Sequence, residues 1–323
     1  MSKADNLRKA RKVKNDEFYT QLSDIEKEIY QHEDYIKQFK NKVVLCNCDN
    51  PELSDFFVFF KTHFNYLGIK KLIVTHYNKD NSPSYKLEIH KSNNLMKSIK
   101  TPLIGNGDFQ SEECINLLKE ADIIVTNPPF SLFRNFINLL VMYGKKFIII
   151  ESKSAISYKE FFPLFKEGNC FVGYNSGNGT MYFKTAHTND KLRSVPSYWY
   201  TNFDLNKIHK PLVLTKEYKG NELLYPIADN YNAISVDKVK NIPKDYYGMM
   251  LVPITFMLNY CPEQFDIVGA AMGWTRSVMS DEWKKSVGYN DSAVSIEGTR
   301  SYAIVNGVQL YHRIIIKRKQ NSV

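Results

Sequence analysis

ADIIVTNPPFSLFRNFINLLVMYGKKFIIIE, residues 121–151, decides the fold class of this chain. It begins with an apolar run rich in β-branched residues (121–127), continues with helical spacing over 131–142 and ends in a second apolar run (145–151). A strand, a helix and a strand in this order predict a right-handed crossover between two parallel strands. The fold class that follows is α/β.

The same alternation extends towards the amino terminus. Apolar runs predict further strands at 42–48, 70–77 and 86–90. Apolar residues spaced three and four apart predict helices at 22–39, 52–66 and 111–120. We therefore expect a mostly parallel sheet with helices on both faces, whose ligands bind beyond the carboxyl ends of the strands.

The sequence changes in texture beyond about residue 155. Pro and Gly become frequent, helical periodicity fades, and short strand-like pieces such as KPLVLT (210–215) and RIIIK (313–317) predominate. We expect a boundary near residue 190, with a core domain over 21–190 and a smaller mixed α+β region over 191–323. Residues 1–20 precede both.

Composition excludes several classes of protein. Of the 323 residues, 43% are hydrophobic and 24% are charged, which is typical of a globular protein. No run approaches the ~18 apolar residues that span a bilayer, and the first residues lack the apolar core of a secretory signal. The five cysteines include no CxxC pair, so neither a disulfide framework nor a zinc site is indicated. We expect a cytoplasmic protein with no metal.

The charge balance favours a polyanionic partner. Lys and Arg number 43 against 34 Asp and Glu, a net charge of +9, and 14% of residues are aromatic. Cations displace counterions from phosphates, and aromatic faces accept unstacked bases. Much of this charge lies in a basic arm at residues 1–14. The alternative is a basic surface that serves only solubility.

Asn127-Pro128-Pro129-Phe130 is the motif with the clearest chemistry, because it stands directly after a predicted strand. The two prolines fix the backbone and lack amide donors. The Asn127 side-chain oxygen and the Pro128 carbonyl can then accept both hydrogens of an exocyclic amino group, which directs the nitrogen lone pair at an electrophile. Phe130 can stack on the heterocycle that carries this amine. The alternative is a proline turn that only ends the strand.

Several stretches resemble the EcoRI-type adenine-specific DNA methyltransferases. They are DEFYTQLSDIEKEI (16–29), VVLCNCDNPELSDFFVFF (43–60), GDFQSEEC (107–114), ADIIVTNPPFSLFRNFI (121–137), IPKDYYGMMLVPITF (242–256) and PEQFDIVG (262–269). The resemblance covers nearly the whole chain. It implies a Rossmann-like core that binds S-adenosyl-L-methionine over 21–190, and target recognition over 191–323. The implied reaction methylates the 6-amino group of an adenine flipped out of double-stranded DNA.

The resemblance also assigns residues to the cofactor. They are Asp16, Phe18, Tyr19, Thr20, Asn47, Asp49, Asn50, Pro51, Asp108 and Phe109. Four of these residues have an ordinary alternative: core packing for Phe18 and Tyr19, a helix cap near residue 52 for Asp49, and a turn for Asp108. The chain departs from wider methyltransferase patterns in two places. It lacks a glycine-rich loop after the first strand, and no acidic residue follows Thr75 to hold ribose hydroxyls, so we expect His76 to be structural.

The resemblance implies a DNA interface and a biological setting. The residues expected to contact DNA are Arg8, Lys9, Arg11 and Lys12 of the arm, Ser131 and Arg134 beside the NPPF motif, and Asn178 and Arg193 as base readers. The enzyme is expected to be a monomer that protects DNA beside a restriction enzyme without binding it directly, or a solitary or phage modification enzyme. Three alternatives stay open: an RNA acceptor, a protein glutamine acceptor and an inactive DNA-binding regulator.

Overall fold

The computed structural model describes residues 18–92, 95–176, 180–184, 192–290 and 301–320. The described residues form two compact units. Unit 1 contains those up to Lys153 together with Val172–Asp204, and unit 2 contains Ser154–Phe171 together with those from Leu205 onward. These bounds describe packing, so the expected division of function at residue 190 stays a prediction.

Strands and helices are named in chain order. The strands are β1 (Tyr19–Thr20), β2 (Val43–Cys46), β3 (Lys71–Thr75), β4 (Tyr85–Ser92), β5 (Leu95–Pro102), β6 (Ile123–Thr126), β7 (Lys146–Ser152), β8 (Phe171–Val172), β9 (Met181–Lys184), β10 (Arg193–Val195), β11 (Ser197–Thr201), β12 (Ile234–Ser235), β13 (Met249–Pro253), β14 (Phe265–Ala271), β15 (Ile304–Val305), β16 (Val308–Gln309) and β17 (Arg313–Arg318). The α-helices are α1 (Leu22–Ile25), α2 (Glu33–Gln38), α3 (Asp55–Thr62), α4 (Glu112–Glu120), α5 (Phe133–Met142), α6 (Phe162–Lys166) and α7 (Asp281–Ser286).

The main sheet has eight strands in the order β5-β4-β3-β2-β6-β7-β11-β8. Its four central strands, β3, β2, β6 and β7, run parallel. The flanking strands β4, β5 and β11 pair antiparallel. The α/β class is confirmed, but the expectation of a mostly parallel sheet is wrong, because β4 and β5 return through short connections that leave no room for a crossover helix.

The longer helices of unit 1 bury apolar faces, and two of them, α3 and α4, begin at a serine cap. Phe133, Phe136, Ile137 and Leu140 form the buried face of α5. The Ser54 side chain accepts a hydrogen bond from the Phe56 amide at 3.1 Å, which makes Ser54 the cap of α3. The interpretation of Asp49 as this cap is therefore wrong, because the helix begins at Asp55 rather than near residue 52.

The single helix expected over 22–39 is interrupted. A π-helical turn at Glu26–Tyr30 follows α1, and His32 has extended backbone angles before α2. The break coincides with two contacts that helical periodicity does not encode. Buried Glu28 accepts hydrogen bonds from the Tyr174 and Asn175 amides at 2.9 and 2.6 Å, and the His32 ring stacks on Tyr174.

Unit 2 is built on a four-stranded sheet in the order β12-β13-β17-β14. Strand β17 is central, and its residues Ile314, Ile315 and Ile316 are fully buried. A hairpin of β15 and β16 accompanies this sheet. No helix in the described parts of the two units is long and apolar enough to cross a membrane.

Candidate active site

A cavity of about 670 Å³ lies in unit 1, where three neighbouring parallel strands end. Its walls are formed by Phe18 and Tyr19 at the start of β1, by the three loops that follow β2, β3 and β6, and by the loop that precedes α4. The lining residues are Phe18, Tyr19, Asn47, Cys48, Asp49, Asn50, Leu53, His76, Tyr77, Asn78, Lys79, Asp80, Ser82, Gly107, Asp108, Phe109, Asn127, Pro129 and Leu132. The cavity thus lies at the carboxyl ends of the strands, where open α/β sheets bind ligands.

Asn127 follows the last residue of β6 and presents an unused acceptor. Its side chain is almost buried, with 9% of the residue exposed. The Nδ2 atom donates to the Phe18 carbonyl at 2.6 Å, which fixes the orientation of the amide. The Oδ1 atom is buried, and it has no hydrogen-bond partner in the described part of the chain. A buried oxygen in this state is suited to accept a hydrogen from a ligand.

Aromatic rings pack beside this amide. The ring of Phe18 lies 5.6 Å from that of Phe130 and 5.5 Å from that of Phe183. The Arg193 guanidinium lies over Phe18, 5.3 Å from the ring centroid, which is within cation–π range. Phe130 is half-buried at the start of a 3₁₀ turn. The structure therefore gathers a cluster of tilted aromatic rings around Phe18, whose carbonyl holds Asn127, with a cation over one of the rings.

Asp49 is buried at the end of β2, with 6% of the residue exposed. Its Oδ2 accepts from the Thr126 hydroxyl at 2.6 Å, and its Oδ1 accepts from the Ser54 hydroxyl at 3.0 Å. Burial raises the pKa of the Asp49 carboxyl from 3.8 to about 7, against the opposing effect of the two hydroxyl bonds. Asp49 therefore combines a cavity position with a strongly perturbed ionisation, which is characteristic of functional sites.

The loop before α4 brings Asp108 and Phe109 to the cavity. Asp108 Oδ1 accepts from the Gln110 amide at 2.9 Å, so the expected turn role is present. Phe109 is buried and packs edge-on against Phe136 of α5. Gly107 has a φ of +83°, and a Cβ there would overlap the His76 carbonyl oxygen. Only glycine allows this loop to approach the end of β3 so closely.

The loop after β3 is a part of the site that the sequence-based expectations missed. Residues 76–80 and Ser82 line the cavity. The Ser84 hydroxyl donates to the His76 carbonyl at 2.7 Å, and the His76 ring packs edge-on against Tyr85. A usable signal exists in the sequence, since the loop follows a parallel strand just as the NPPF motif does. The lack of an acidic residue directly after β3 does not exclude a ligand contact from this loop, because the first acidic residue of the loop, Asp80, comes five positions after Thr75.

Cys48, Leu53 and Leu132 also line the cavity without having been predicted. Each stands within three residues of a predicted site residue. Leu53 and Leu132 are about half-exposed. Apolar side chains at the mouth of a strand-end cavity carry no distinctive sequence signal, because leucine is common throughout the chain.

The other predicted site residues are dispersed. Thr20 in β1 and Pro128 in the NPPF loop are buried, and neither of them lines the cavity. Pro51 and Phe130 are also absent from its lining. Ser131 and Arg134 are exposed, and Arg193 lies in β10 of unit 1. Six predicted residues lie outside the described ranges: Arg8, Lys9, Arg11, Lys12, Asp16 and Asn178. In the described ranges, no group of three or more His, Cys, Asp or Glu side chains could hold a metal ion.

The fold and the cavity define a class of protein. A sheet whose parallel strands direct polar groups into one cavity, beside a buried unpaired amide oxygen, is that of an α/β protein that binds a small molecule. The model of the family described as adenine-specific methyltransferase EcoRI matches residues 6–319. The chain belongs to this family, and it is an enzyme of the adenine-specific methyltransferase kind.

Three relatives agree with this assignment. The Type II methyltransferase M.EcoRI of Escherichia coli is 40% identical, and the match covers 97% of this chain and 96% of the relative. The Type II methyltransferase M.MgeORF184P of Mycoplasma genitalium is 38% identical, and the match covers 98% of this chain and 99% of the relative. M.MpnI of Mycoplasma pneumoniae is 37% identical over 98% of both chains. No solved structure gives a significant match.

Proposed function

We propose that this protein is a site-specific DNA methyltransferase that methylates the 6-amino group of adenine in duplex DNA with S-adenosyl-L-methionine. The observation that carries the proposal is the buried, unpaired Oδ1 of Asn127 in the strand-end cavity. Family membership supports adenine as the base. The Type II names of the relatives support a modification enzyme of a restriction–modification system. A solitary or phage modification enzyme is the alternative setting. The Rossmann-like methyltransferase core over 21–190 belongs to this proposal.

The chemistry of the cavity fits the cofactor. Its volume of about 670 Å³ is within the range of small-molecule sites. Polar groups of Asn47, Asp49 and Asn50 face it from the end of β2, and Asp108 and Phe109 face it from the loop before α4. When bound, S-adenosylmethionine supplies an electrophilic methyl carbon on a sulfonium. We propose that the loop over 76–82 supplies the ribose contact that the sequence left open.

The NPPF motif orients the acceptor amine. The bond from Asn127 Nδ2 to the Phe18 carbonyl leaves Oδ1 free to accept one amine hydrogen. The Pro128 carbonyl accepts the other hydrogen, because proline contributes acceptors but no donor. Both hydrogens are then held to one side, and the nitrogen lone pair is directed away from them. The nitrogen–carbon bond would form as the carbon–sulfur bond breaks, with S-adenosylhomocysteine as the leaving group and one amine proton lost to solvent. No strong base is needed for this loss, since the amine becomes acidic only as nitrogen gains the fourth bond.

Phe130 and the cations near it are proposed to act on the DNA. The target adenine must leave the duplex to reach the cavity, at a cost of a few kcal/mol. Stacking on an aromatic ring offsets about 1–3 kcal/mol of this cost. We propose that Arg193, Ser131 and Arg134, which are exposed, contact the strand beside the base. Target recognition is assigned to residues 191–323, and the enzyme is proposed to work as a monomer on one strand at a time.

The test is mass spectrometry of nucleosides from unmethylated duplex DNA incubated with the protein and S-adenosylmethionine. Wild type is expected to form 6-methyladenine. Asn127→Ala should lower the rate by roughly 100-fold or more while DNA affinity changes only a few-fold, because the lost acceptor acts on the reacting amine. Asn135→Ala, which removes an exposed amide on α5, is the matched control and should retain activity.

Other outcomes would favour other functions. Methylated RNA or methylated glutamine without 6-methyladenine would replace DNA as the acceptor. DNA binding without cofactor binding would indicate an inactive regulator. Full turnover by Asn127→Ala would remove Asn127 from its proposed role.

A further inference from the structure

Thr126 is a buried polar residue that the proposed reaction does not use. It is the last residue of β6, directly before Asn127, and its exposure is 0%. Its hydroxyl donates to Asp49 Oδ2 at 2.6 Å across the sheet. This length is in the range of the strong hydrogen bonds that hydroxyls make to carboxylates. A buried bond of this kind fixes the two residues relative to each other more firmly than packing alone.

Asp49 joins this hydroxyl to two other elements. Its Oδ1 accepts from Ser54, which caps α3, and its main-chain amide donates to the Thr75 carbonyl at the end of β3 at 3.1 Å. Asp49 is therefore hydrogen-bonded to β6 and to the cap of α3 through its side chain, and to β3 through its main chain. Asn47, Cys48 and Asn50, its neighbours in sequence, line the cavity. Displacement of Asp49 would displace that whole wall.

We propose that Thr126 is a positioning residue, whose bond to Asp49 sets the loop of the proposed cofactor wall against the loop that carries Asn127. The proposal rests on the proposed function. Thr126 is fully buried and does not line the cavity, so it acts by holding two loops at a fixed separation. Methyl transfer requires the amine nitrogen and the methyl carbon to meet in line, and a displacement of about 1 Å can lower a rate about 100-fold. One hydroxyl thus governs the distance between the two reactants.

The isosteric variant Thr126→Val removes the hydroxyl and keeps the shape of the side chain. We expect kcat to fall about tenfold or more, because the two loops lose their register. The Kd for S-adenosylhomocysteine, measured by calorimetry, should rise about fivefold or more, because Asp49 Oδ2 is left unpaired in a buried wall. DNA affinity should change less than about twofold, since no charge is altered. Thr126→Ser restores the hydroxyl and should recover most of both properties.

Thr201→Val is the matched control. Thr201 is equally buried in β11 of the same sheet and does not line the cavity; its hydroxyl donates to the Phe147 carbonyl at 2.8 Å and accepts from the Phe203 amide at 3.1 Å. This variant should lower the unfolding temperature at least as much as Thr126→Val, with kcat and the S-adenosylhomocysteine Kd close to wild type. A comparable loss in both variants would show that Thr126 is an ordinary structural residue, and wild-type values in Thr126→Val would overturn the proposal outright.

The two proposals fail in different ways. If wild type forms no 6-methyladenine in DNA, the proposed function fails, whereas the calorimetric comparison of the threonine variants still tests the coupling. If wild type methylates adenine and Thr126→Val matches it in kcat and in Kd, only the coupling fails. Failure of Thr126→Ser to recover activity would also contradict the role of the hydroxyl.

Discussion

Asp49→Asn replaces a buried ionisable group by a neutral one of the same shape, and we expect it to change how stability depends on pH. Burial raises the pKa of Asp49 from 3.8 to about 7 in the folded protein. This rise corresponds to about 4 kcal/mol by which the fold favours the neutral carboxyl over the ionised one. The asparagine amide has no such ionisation, so this component of the pH dependence disappears in the variant.

The sign follows from the direction of the shift. Because the folded pKa lies above the unfolded value, the neutral carboxyl stabilises the fold fully below about pH 4, and this stabilisation is lost as the pH rises through about 7. Between pH 5 and pH 8 the loss amounts to about 2.5 kcal/mol. The unfolding free energy of Asp49→Asn minus that of wild type should therefore increase by about 2.5 kcal/mol from pH 5 to pH 8.

Urea unfolding at the two pH values, followed by tryptophan fluorescence, measures this difference. All other groups titrate alike in both proteins, so their contributions cancel. Asp266→Asn, which removes an exposed carboxylate in β14, controls for the loss of one negative charge. A difference between Asp49→Asn and wild type that changes by less than about 0.5 kcal/mol would refute the reasoning, since the carboxyl would then be solvated rather than buried.

Two further predictions concern the Gly107 turn and the basic arm. Gly107→Ala should lower the unfolding temperature more than Gly144→Ala, because both positions have positive φ but only Gly107 would bring a Cβ onto another residue, the His76 carbonyl; equal losses in thermal unfolding would show that the loop over 76–82 can move aside. Deleting residues 1–14 should lower the slope of log DNA affinity against log salt by about 0.9 for every phosphate that the arm neutralises. Binding titrations at several salt concentrations measure this slope, and an unchanged value would show that the arm neutralises no phosphates.

The parallel centre of the fold could be predicted from sequence because buried parallel strands are continuous apolar runs. Strand β5 could not, since it lies at the sheet edge with almost every residue exposed. The strand predicted at 210–215 is wrong for a different reason. Leu212 makes its main-chain hydrogen bonds with the side chain of Gln264, at 2.7 and 2.9 Å, instead of with another strand. A side chain that replaces a strand partner leaves no periodic trace in the sequence.

The candidate site was partly predictable because its polar residues follow strands. Asn127, Asp49 and Asp108 each stand in a loop at the carboxyl side of the sheet, and the structure brings them to one cavity. Thr126 was not predictable, since a threonine at the end of an apolar strand is usually an ordinary strand residue. Its proposed positioning role depends on a hydrogen bond to Asp49, which is 77 residues away in the chain. Pairings of that separation come from the topology of the sheet.

The hydrogen bond from Asn127 to the Phe18 carbonyl fixes which of the two orientations the Asn127 side-chain amide adopts. An amide has nearly the same shape when turned over, but its oxygen then lies where its nitrogen was. Turned over, Asn127 would direct hydrogens at the proposed acceptor amine, which also carries hydrogens, and the two groups would repel. The choice is made by a main-chain carbonyl 109 residues earlier, which any amino acid at position 18 would provide. Substitutions of Phe18 can therefore change the ring packing without changing the orientation of the Asn127 amide. Removal of the main chain around residue 18 would instead leave both orientations of that amide open.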